Sequence, residues 1–249
     1  MKGVCIDVLI AALADIHANL HALQSVYQDI EKMQVDLIVC AGDLVGYGPN
    51  PNEVVEFLRG SDAVIVKGNY DDGIARTADD CGCRFSDDRQ KALGYASVCW
   101  TNAKVKPENK EYLGHLPLTW RGTVDGKRIL VVHGSPVDPL VDYMDIDRDV
   151  VELREIACNS DADIIIFGHT HIPYHLTLEG VHLINVGSVG RPKDHDPRAC
   201  YALIEVTLED IKVEFRRVSY DVEKVARQVV DCGLPPEFAE ILKKGTTAV

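Results

Sequence analysis

The feature that most constrains the fold is a series of short, continuous apolar runs, each of which ends near a polar residue. The clearest run is VLIAALA, Val8–Ala14, which stops at Asp15. A continuous apolar run of about four to eight residues is typical of a strand buried on both faces, so other layers must cover both sides of the sheet. Similar runs are Asp36–Ala41, Ala63–Val66, Asp163–Phe167 and Val181–Val186.

Helical patterns alternate with these runs early in the chain, and antiparallel strand patterns follow late in the chain. Together they predict a single α/β domain over residues 1–249. Apolar residues at helical spacing over 20–30 predict a helix after the first strand. The segments Leu118–Val124 and Arg128–His133 flank Asp-Gly, which predicts a hairpin. Further predictions are a short helix capped by Asn52, helices over Ser86–Asn102 (capped by Ser86), Ile146–Asn159, Val222–Cys232 and Glu237–Lys244, and antiparallel strands over Tyr201–Val206 and Lys212–Val218.

Seven residues with metal-binding side chains follow the predicted strands. In open α/β sheets, the loops beyond the carboxyl ends of the strands converge on the ligand site, so we expect these side chains to meet. Each one alone has an ordinary structural explanation, such as a turn residue or a hydrogen-bonded core histidine, and their joint placement favours a site. The seven are Asp15, His17, Asp43, Asn69, His133, His169 and His171.

The mixture of imidazole, carboxylate and amide donors decides which metals fit. Nitrogen and oxygen donors together suit manganese, iron, zinc, cobalt or nickel, and the set is too rich in histidine for calcium. Seven ligands are too many for one tetrahedral zinc ion, but they could serve two ions if one carboxylate bridges them. Two ions about 3.5–4 Å apart form the clamp used in phosphoester hydrolysis.

The chain resembles the calcineurin-like metallophosphoesterases through five motifs in the order found in that family. They are DIHAN, GDLVGYGPNP, GNYDD, HGS and GHTH, between Asp15 and His171. The family pattern is D-x-H, G-D, G-N-H-[DE], H and G-H-x-H. The tail INVGSVGRPKDHDPRACYALIE is also similar to the small bacterial and archaeal phosphodiesterase type. The resemblance implies a four-layer αββα sandwich of two mixed β-sheets flanked by helices.

The resemblance also implies a role for each donor and a mechanism. A water bridging two divalent transition-metal ions would attack a small phosphoester, and no serine or cysteine nucleophile is needed. Manganese is the expected metal, with iron, nickel, cobalt and zinc as alternatives. The expected catalytic residues are Asp43, Asn69 and Tyr70. The implied ligands are Asp15, His17 and His171 for one ion, Asn69, His133 and His169 for the other, and Asp43 as the bridge.

Tyr70 stands beside Asn69 where the family pattern has a histidine that is thought to protonate the leaving group. Loss of a general acid typically costs about 10²–10⁴ in rate. Tyr70 could donate a hydrogen bond instead, another histidine such as His195 could supply the proton, or catalysis could be lost, as in a retromer subunit of this fold. The complete ligand set favours an active phosphodiesterase. The alternatives are a phosphomonoesterase acting on proteins or nucleotides, and a binding scaffold.

Two further segments have open interpretations. Arg191, Lys193 and His195 follow GSVG and are either contacts for substrate phosphate or a solvated turn. Cys81 and Cys83 form a C-x-C spacing without a second cysteine pair at zinc-finger distance, which favours a structural loop over a redox or accessory metal site.

Composition excludes several partner classes. The formal net charge of −13 argues against an extended nucleic-acid surface, which needs a basic stripe. No apolar run has the length of a membrane span, and no signal peptide is recognisable, so we expect a cytoplasmic protein with free thiols. The expected partner is a small phosphoester. A homo-oligomer is compatible with the sequence but not indicated by it.

Overall fold

A computed structural model describes residues 8–247 of the chain, so Cys5 lies outside the described residues. Within this range, strands form where the continuous apolar runs occur, because such segments satisfy their backbone groups in a sheet while both faces stay dry. The strands are β1 (Val8–Leu13), β2 (Leu37–Cys40), β3 (Val64–Ile65), β4 (Thr119–Val124), β5 (Lys127–Val132), β6 (Ile164–Phe167), β7 (Tyr174–Leu178), β8 (Val181–Asn185), β9 (Ala199–Val206) and β10 (Ile211–Val218).

The strands make two mixed five-stranded sheets. The first has the order β10-β9-β1-β2-β3, in which β1, β2 and β3 are parallel and β9 is antiparallel to β1. The second has the order β4-β5-β6-β8-β7, in which β5, β6 and β8 are parallel. Parallel neighbours place their carboxyl ends on one edge, so each sheet directs several loops to the same side of the molecule.

Helices cover the outer faces of both sheets. Asparagine and aspartate side chains cap several of them; for example, Asp149 accepts a hydrogen bond from Val151 N at the start of α6. The helices are α1 (Leu20–Met33), α2 (Pro51–Arg59), α3 (Asn69–Ala75), α4 (Asp88–Lys104), α5 (Pro107–His115), α6 (Val150–Asn159), α7 (Val222–Asp231) and α8 (Pro236–Lys244).

The alternation of side chains along the strands divides the core into three layers. On β1, Ile10 faces the second sheet while Leu13 faces the helices. On β5, Val131 faces the first sheet while Leu130 packs with Leu153 of α6. The order is helices, sheet, sheet and helix, so the predicted four-layer αββα sandwich is confirmed.

Several predicted boundaries are wrong for local reasons. Asp87 rather than Ser86 caps α4, and its carboxylate accepts from Gln90 N. The helix α2 begins at Pro51 after Asn50, because proline suits the first helical position. Asn52 therefore lies inside that helix. The helix α6 begins at Val150 rather than Ile146. The patterns in the sequence also do not predict α3, α5 and β7: the two helices are short and lack a clear apolar period, and β7 has only five residues.

The described residues contain seven free cysteines. No helix among them combines the length and apolar character needed to cross a membrane.

We expect Asn19→Ala to lower the free energy of unfolding by about 2 kcal/mol, because Asn19 is a buried cap with several partners. Its Oδ1 accepts from Ala22 N, and its Nδ2 donates to the Gly190 carbonyl oxygen and to the Tyr220 hydroxyl. Urea denaturation measures the change. The matched control is Asp221→Ala, an exposed cap of α7, which should cost less. Equal losses in the two variants would contradict this account of Asn19.

Candidate metal centre

Seven polar side chains from the two sheets meet in one buried cluster, and none of them is more than 4% exposed. The loops after β1, β2 and β3 carry four, and the loops after β5 and β6 carry three. The cluster consists of Asp15, His17, Asp43, Asn69, His133, His169 and His171. The structure thus brings together every residue that the sequence predicts as a metal ligand. The role of these residues as ligands stays a prediction.

His17 and His171 face each other through their Nε2 atoms, which are 3.2 Å apart. The Nδ1 atom of His17 lies 3.0 Å from the Val45 carbonyl oxygen, and that of His171 lies 2.6 Å from the Arg191 carbonyl oxygen. A carbonyl oxygen only accepts, so both Nδ1 atoms carry the hydrogen. In the neutral rings, both Nε2 atoms therefore present unshared lone pairs to each other.

A second pair of imidazole rings, His133 and His169, meets at a similar distance. His133 Nδ1 donates to the Ala41 carbonyl oxygen at 2.8 Å, so its Nε2 presents a lone pair. That atom lies 2.9 Å from Asn69 Oδ1 and 2.9 Å from His169 Nδ1. Asn69 Nδ2 donates to the Cys81 carbonyl oxygen at 2.7 Å, which turns the amide oxygen toward His133. The loop around Cys81 therefore orients one donor of the cluster.

Two carboxylates connect these pairs. Asp43 Oδ2 lies 3.6 Å from His17 Nε2 and 3.5 Å from His133 Nε2, so a single oxygen faces both groups. Asp15 Oδ1 lies 3.5 Å from His171 Nε2 and is buried without a hydrogen-bond partner among the described residues. Asp15 forms one candidate metal-binding group with His17 and His171, and another with Asp43 and His133.

The protonation states show that the cluster fits a cation. Burial lowers the pKa values of His17, His169 and His171 well below the usual value, and lowers that of His133 to about 4. Neutral rings with their lone pairs turned toward each other repel unless a positive charge lies between them. Two ligands that are each about 2.0–2.1 Å from one ion lie about 3 Å apart, as these pairs do.

The carboxylates lead to the same conclusion. Burial raises the pKa of Asp43 to about 7. Burial, together with the nearby Asp43 carboxylate, raises the pKa of Asp15 well above its usual value. A bound divalent cation would favour the ionised form of both groups and would give Asp15 Oδ1 the partner it lacks. The donor set and its geometry therefore fit a divalent transition metal.

Five of the seven donors have a left-handed backbone conformation. Left-handed φ values occur at Asp15 (53°), His17 (45°), Asp43 (56°), His169 (69°) and His171 (63°). Such values are uncommon for residues other than glycine and carry strain that the surrounding structure must offset. Hydrogen bonds do this in part: His17 N donates to the Asp43 carbonyl oxygen, and His169 N donates to Asp15 Oδ2 at 2.9 Å.

Asp71 positions the loop that carries Asp43. Its Oδ1 accepts from Leu44 N at 2.9 Å and its Oδ2 accepts from Gly68 N at 3.0 Å. Gly68 is needed there, because a Cβ atom would collide with the Asp43 carboxylate. Tyr70 N donates to Asp43 Oδ1 at 2.8 Å, which leaves Oδ2 to face the imidazoles.

A cavity of about 420 Å³ opens above the cluster. Arg191 and Lys193 line it, as does Tyr70, which is 1% exposed and packs against Tyr47 with ring centres 4.8 Å apart. Burial raises the pKa of the Tyr70 phenol well above its usual value, so this group is a neutral hydrogen-bond donor. His195 is exposed and does not line the cavity. The structure therefore brings two of the three candidate substrate contacts, Arg191 and Lys193, to the cavity, and it leaves His195 outside.

Several cavity residues were missed by sequence reasoning. Arg84 packs 4.4 Å above the Tyr143 ring centre, and that ring lies 3.8 Å from the His169 ring. These residues come from loops without periodicity or motif, so hydrophobic patterning does not predict their place in the cavity. Cys83 also lines the cavity, and its Sγ accepts from Asn69 Nδ2 at 3.3 Å. An apolar wall is formed by Phe85, Leu93, Phe238 and Ile241.

Comparison with known proteins identifies the family. The sequence profile of the calcineurin-like phosphoesterase superfamily domain matches residues 8–209. The chain belongs to this superfamily, which confirms the resemblance and places the cluster in a family of metallophosphoesterases. An uncharacterized protein of Methanocaldococcus jannaschii is 34% identical over 258 residues, which cover 95% of this chain and 98% of the relative.

Two solved structures resemble the whole chain. A metallophosphoesterase from Sphaerobacter thermophilus is 32% identical with a TM-score of 0.77, covering 97% of this chain and 100% of the other. A hypothetical protein from Pyrococcus horikoshii OT3 is 25% identical with a TM-score of 0.82, again covering 97% and 100%. Coverage of 97% extends the likeness beyond residue 209.

We expect manganese to raise the melting temperature more at pH 8 than at pH 6. In the metal-free protein, burial raises the pKa of Asp43 to about 7, so this carboxyl is largely protonated at pH 6, and the pKa of Asp15 is raised in the same direction. The lowered pKa values of the four histidines act in the opposite direction on the stability of the metal-free fold, because the unfolded chain takes up protons on these rings as pH falls below about 6.5. Metal binding must displace the protons of the carboxyl groups, so the stabilisation by the metal rises with pH. Scanning calorimetry with and without chelator measures the increment. An increment as large at pH 6 as at pH 8 would contradict the assignment of these carboxylates.

Proposed function

We propose that this protein is a phosphodiesterase that hydrolyses small phosphodiesters with two divalent transition-metal ions, of which manganese is the preferred candidate. The observation that supports this most directly is the convergence of all seven donors in one buried cluster, five of which line the cavity. The group of three donors that contains His171 would hold one ion, and the group of three that contains His133 would hold the other. Asp43 Oδ2 faces both groups. When bound, the two ions would activate water and offset charge on the phosphoryl group.

The cavity walls supply the remaining interactions for a phosphoester. Arg191 lies over the Tyr47 ring at 4.1 Å, which holds its guanidinium beside the donor cluster where it can bind a non-bridging oxygen. The apolar wall opposite can receive an organic substituent. The cavity is large enough for a small phosphoester with its substituents and too small for a folded protein substrate to enter.

Tyr70 favours a diester over a monoester. A phosphodiester carries one negative charge, and its ester oxygens are uncharged, so they suit a neutral hydrogen-bond donor. The Tyr70 phenol is such a donor, since its pKa is raised well above the usual value. An imidazole at this position could become cationic and would favour the second negative charge of a monoester.

A phosphomonoesterase is the second candidate, and the observation that favours it is the number of cations. Arg84, Arg191 and Lys193 all line the cavity, and together they could hold a dianionic phosphate. A binding scaffold is disfavoured, because a buried cluster of lone pairs and carboxylates is costly unless it binds a cation.

We expect the manganese-loaded protein to hydrolyse bis-p-nitrophenyl phosphate faster than p-nitrophenyl phosphate. Asp43→Asn should abolish turnover, because it removes the charge that faces both donor groups. The assay compares kcat/KM for the two esters after chelation and reloading, with metal content measured in parallel. Faster monoester hydrolysis would support the second candidate instead. Full activity in Asp43→Asn would contradict the two-metal mechanism.

We expect Tyr70→Phe to lower kcat on the diester by about 2- to 13-fold, the effect of one neutral hydrogen bond. Tyr70→His should raise activity or shift substrate preference toward the monoester, because it introduces an imidazole beside the cluster. Steady-state kinetics on both esters measures these changes. A loss of 10²-fold or more in Tyr70→Phe would instead identify the phenol as the proton donor.

A further inference from the structure

The cavity lacks a free imidazole to protonate a leaving group. The four histidines of the cluster are the expected metal ligands and meet one another in two pairs, so metal ligation would occupy them. His195 is exposed and does not line the cavity. An ester with a poor leaving group nevertheless gains about 10²–10⁴ in rate from a positioned acid. A proton donor would therefore have to be one of the other side chains that line the cavity.

Lys193 is the cavity side chain whose environment matches that task. It is partly buried, lines the cavity, and has no hydrogen bond or ion pair to any residue within 8–247. Burial raises the pKa values of Asp15 and Asp43, and the Lys193 charge opposes both shifts. The ammonium group therefore lies within electrostatic reach of the metal-binding cluster while its three N–H donors remain available.

The residues on either side hold Lys193 in place. Arg191 N donates to Ser188 Oγ at 2.8 Å, and Asp194 forms an ion pair with Arg217 of β10. His195 N donates to the Gly245 carbonyl oxygen at 2.7 Å. Because the backbone is fixed on both sides, the lysine is presented to the cavity by a rigid segment rather than by a mobile loop.

We propose that Lys193 is a catalytic residue that protonates the leaving oxygen of the substrate. This inference rests on the proposed phosphoesterase function and extends it. A water oxygen forms the new bond to phosphorus and releases a proton to solvent. As the phosphorus–oxygen bond to the leaving group breaks, its electron pair stays on the leaving oxygen, which takes a proton from Lys193 Nζ. The products are a phosphomonoester and an alcohol or phenol, and the neutral amine regains a proton from solvent.

The acidity of the neighbouring groups supports this assignment. Burial, together with the Arg191 charge, lowers the pKa of Lys193 to about 8. Burial raises the pKa of Cys83 to about 11 and that of Tyr70 well above its usual value. Arginine does not release its proton in proteins. Lys193 is thus a stronger acid than these other cavity donors and is still largely protonated near pH 7.

The test varies the leaving group and holds the substrate class constant. Bis-p-nitrophenyl phosphate releases an acidic phenol, whereas diphenyl phosphate releases a phenol with a pKa near 10, like tyrosine. We expect Lys193→Ala to lower kcat on diphenyl phosphate by about 10²–10³ and on bis-p-nitrophenyl phosphate by less than about tenfold. A group that assists departure of the leaving oxygen makes the loss depend on the leaving group in this way, whereas a group that only binds the non-bridging oxygens does not.

Lys193→Arg separates proton transfer from charge. It keeps a cation that can bind phosphate oxygens but does not give up a proton, so it should restore KM and leave kcat on diphenyl phosphate low. Manganese content, melting temperature and the affinity for inorganic phosphate by calorimetry should match wild type in Lys193→Arg. The matched control is Lys91→Ala, an exposed lysine of α4 that does not line the cavity.

An equal loss on both diesters, or full kcat in Lys193→Arg, would overturn the proposal and leave Lys193 as a binding residue. Faster monoester hydrolysis by wild type would contradict the diesterase proposal alone. In that case p-nitrophenyl phosphate and phenyl phosphate give the same leaving-group comparison for Lys193. No turnover of any ester by the loaded wild type would overturn both proposals.

Discussion

The mutual repulsion of lone pairs held out of water governs the structure around the cavity. Neutral imidazoles face one another at about 3 Å, and each ring of the His17–His171 pair is fixed by a carbonyl group that dictates which nitrogen carries hydrogen. Those carbonyls belong to the loop after β2 and to the segment after β8. The loops therefore act as structural supports, because their backbone conformation sets the orientation of the donor rings.

The cluster also joins the two sheets. His133, from the second sheet, donates to the carbonyl oxygen of Ala41 at the end of β2, and His169 N donates to the Asp15 carboxylate after β1. Gly168 permits this approach, because a Cβ atom there would collide with Ala14 and Asp15. The apolar interface between the sheets ends at this polar edge. Packing of the sheets and geometry of the donors are consequently determined together.

The sequence predicts the donors well because residues with metal-binding side chains stand where the predicted strands end. Each donor comes at or shortly after the end of an apolar strand, and parallel strands bring their ends to one edge. The apolar wall could not be predicted, since Phe85 and Phe238 come from distant segments whose pattern resembles any surface helix or loop. His195 lies outside the cavity, where a left-handed turn, with φ of 66°, interrupts the extended alternation that would align it with Lys193. Local turn geometry of this kind leaves no mark in hydrophobic periodicity.

The left-handed backbone at five of the seven donors has a consequence for how such a site changes over time. At these positions glycine or asparagine would relieve strain, so selection for thermal stability alone would remove the donors first. Selection for metal binding acts in the opposite direction. A lineage that no longer needed the metal would be expected to lose Asp15 and His169 from the fold before it lost the apolar strands. The identity of the residues at these five positions therefore records whether the site is still in use.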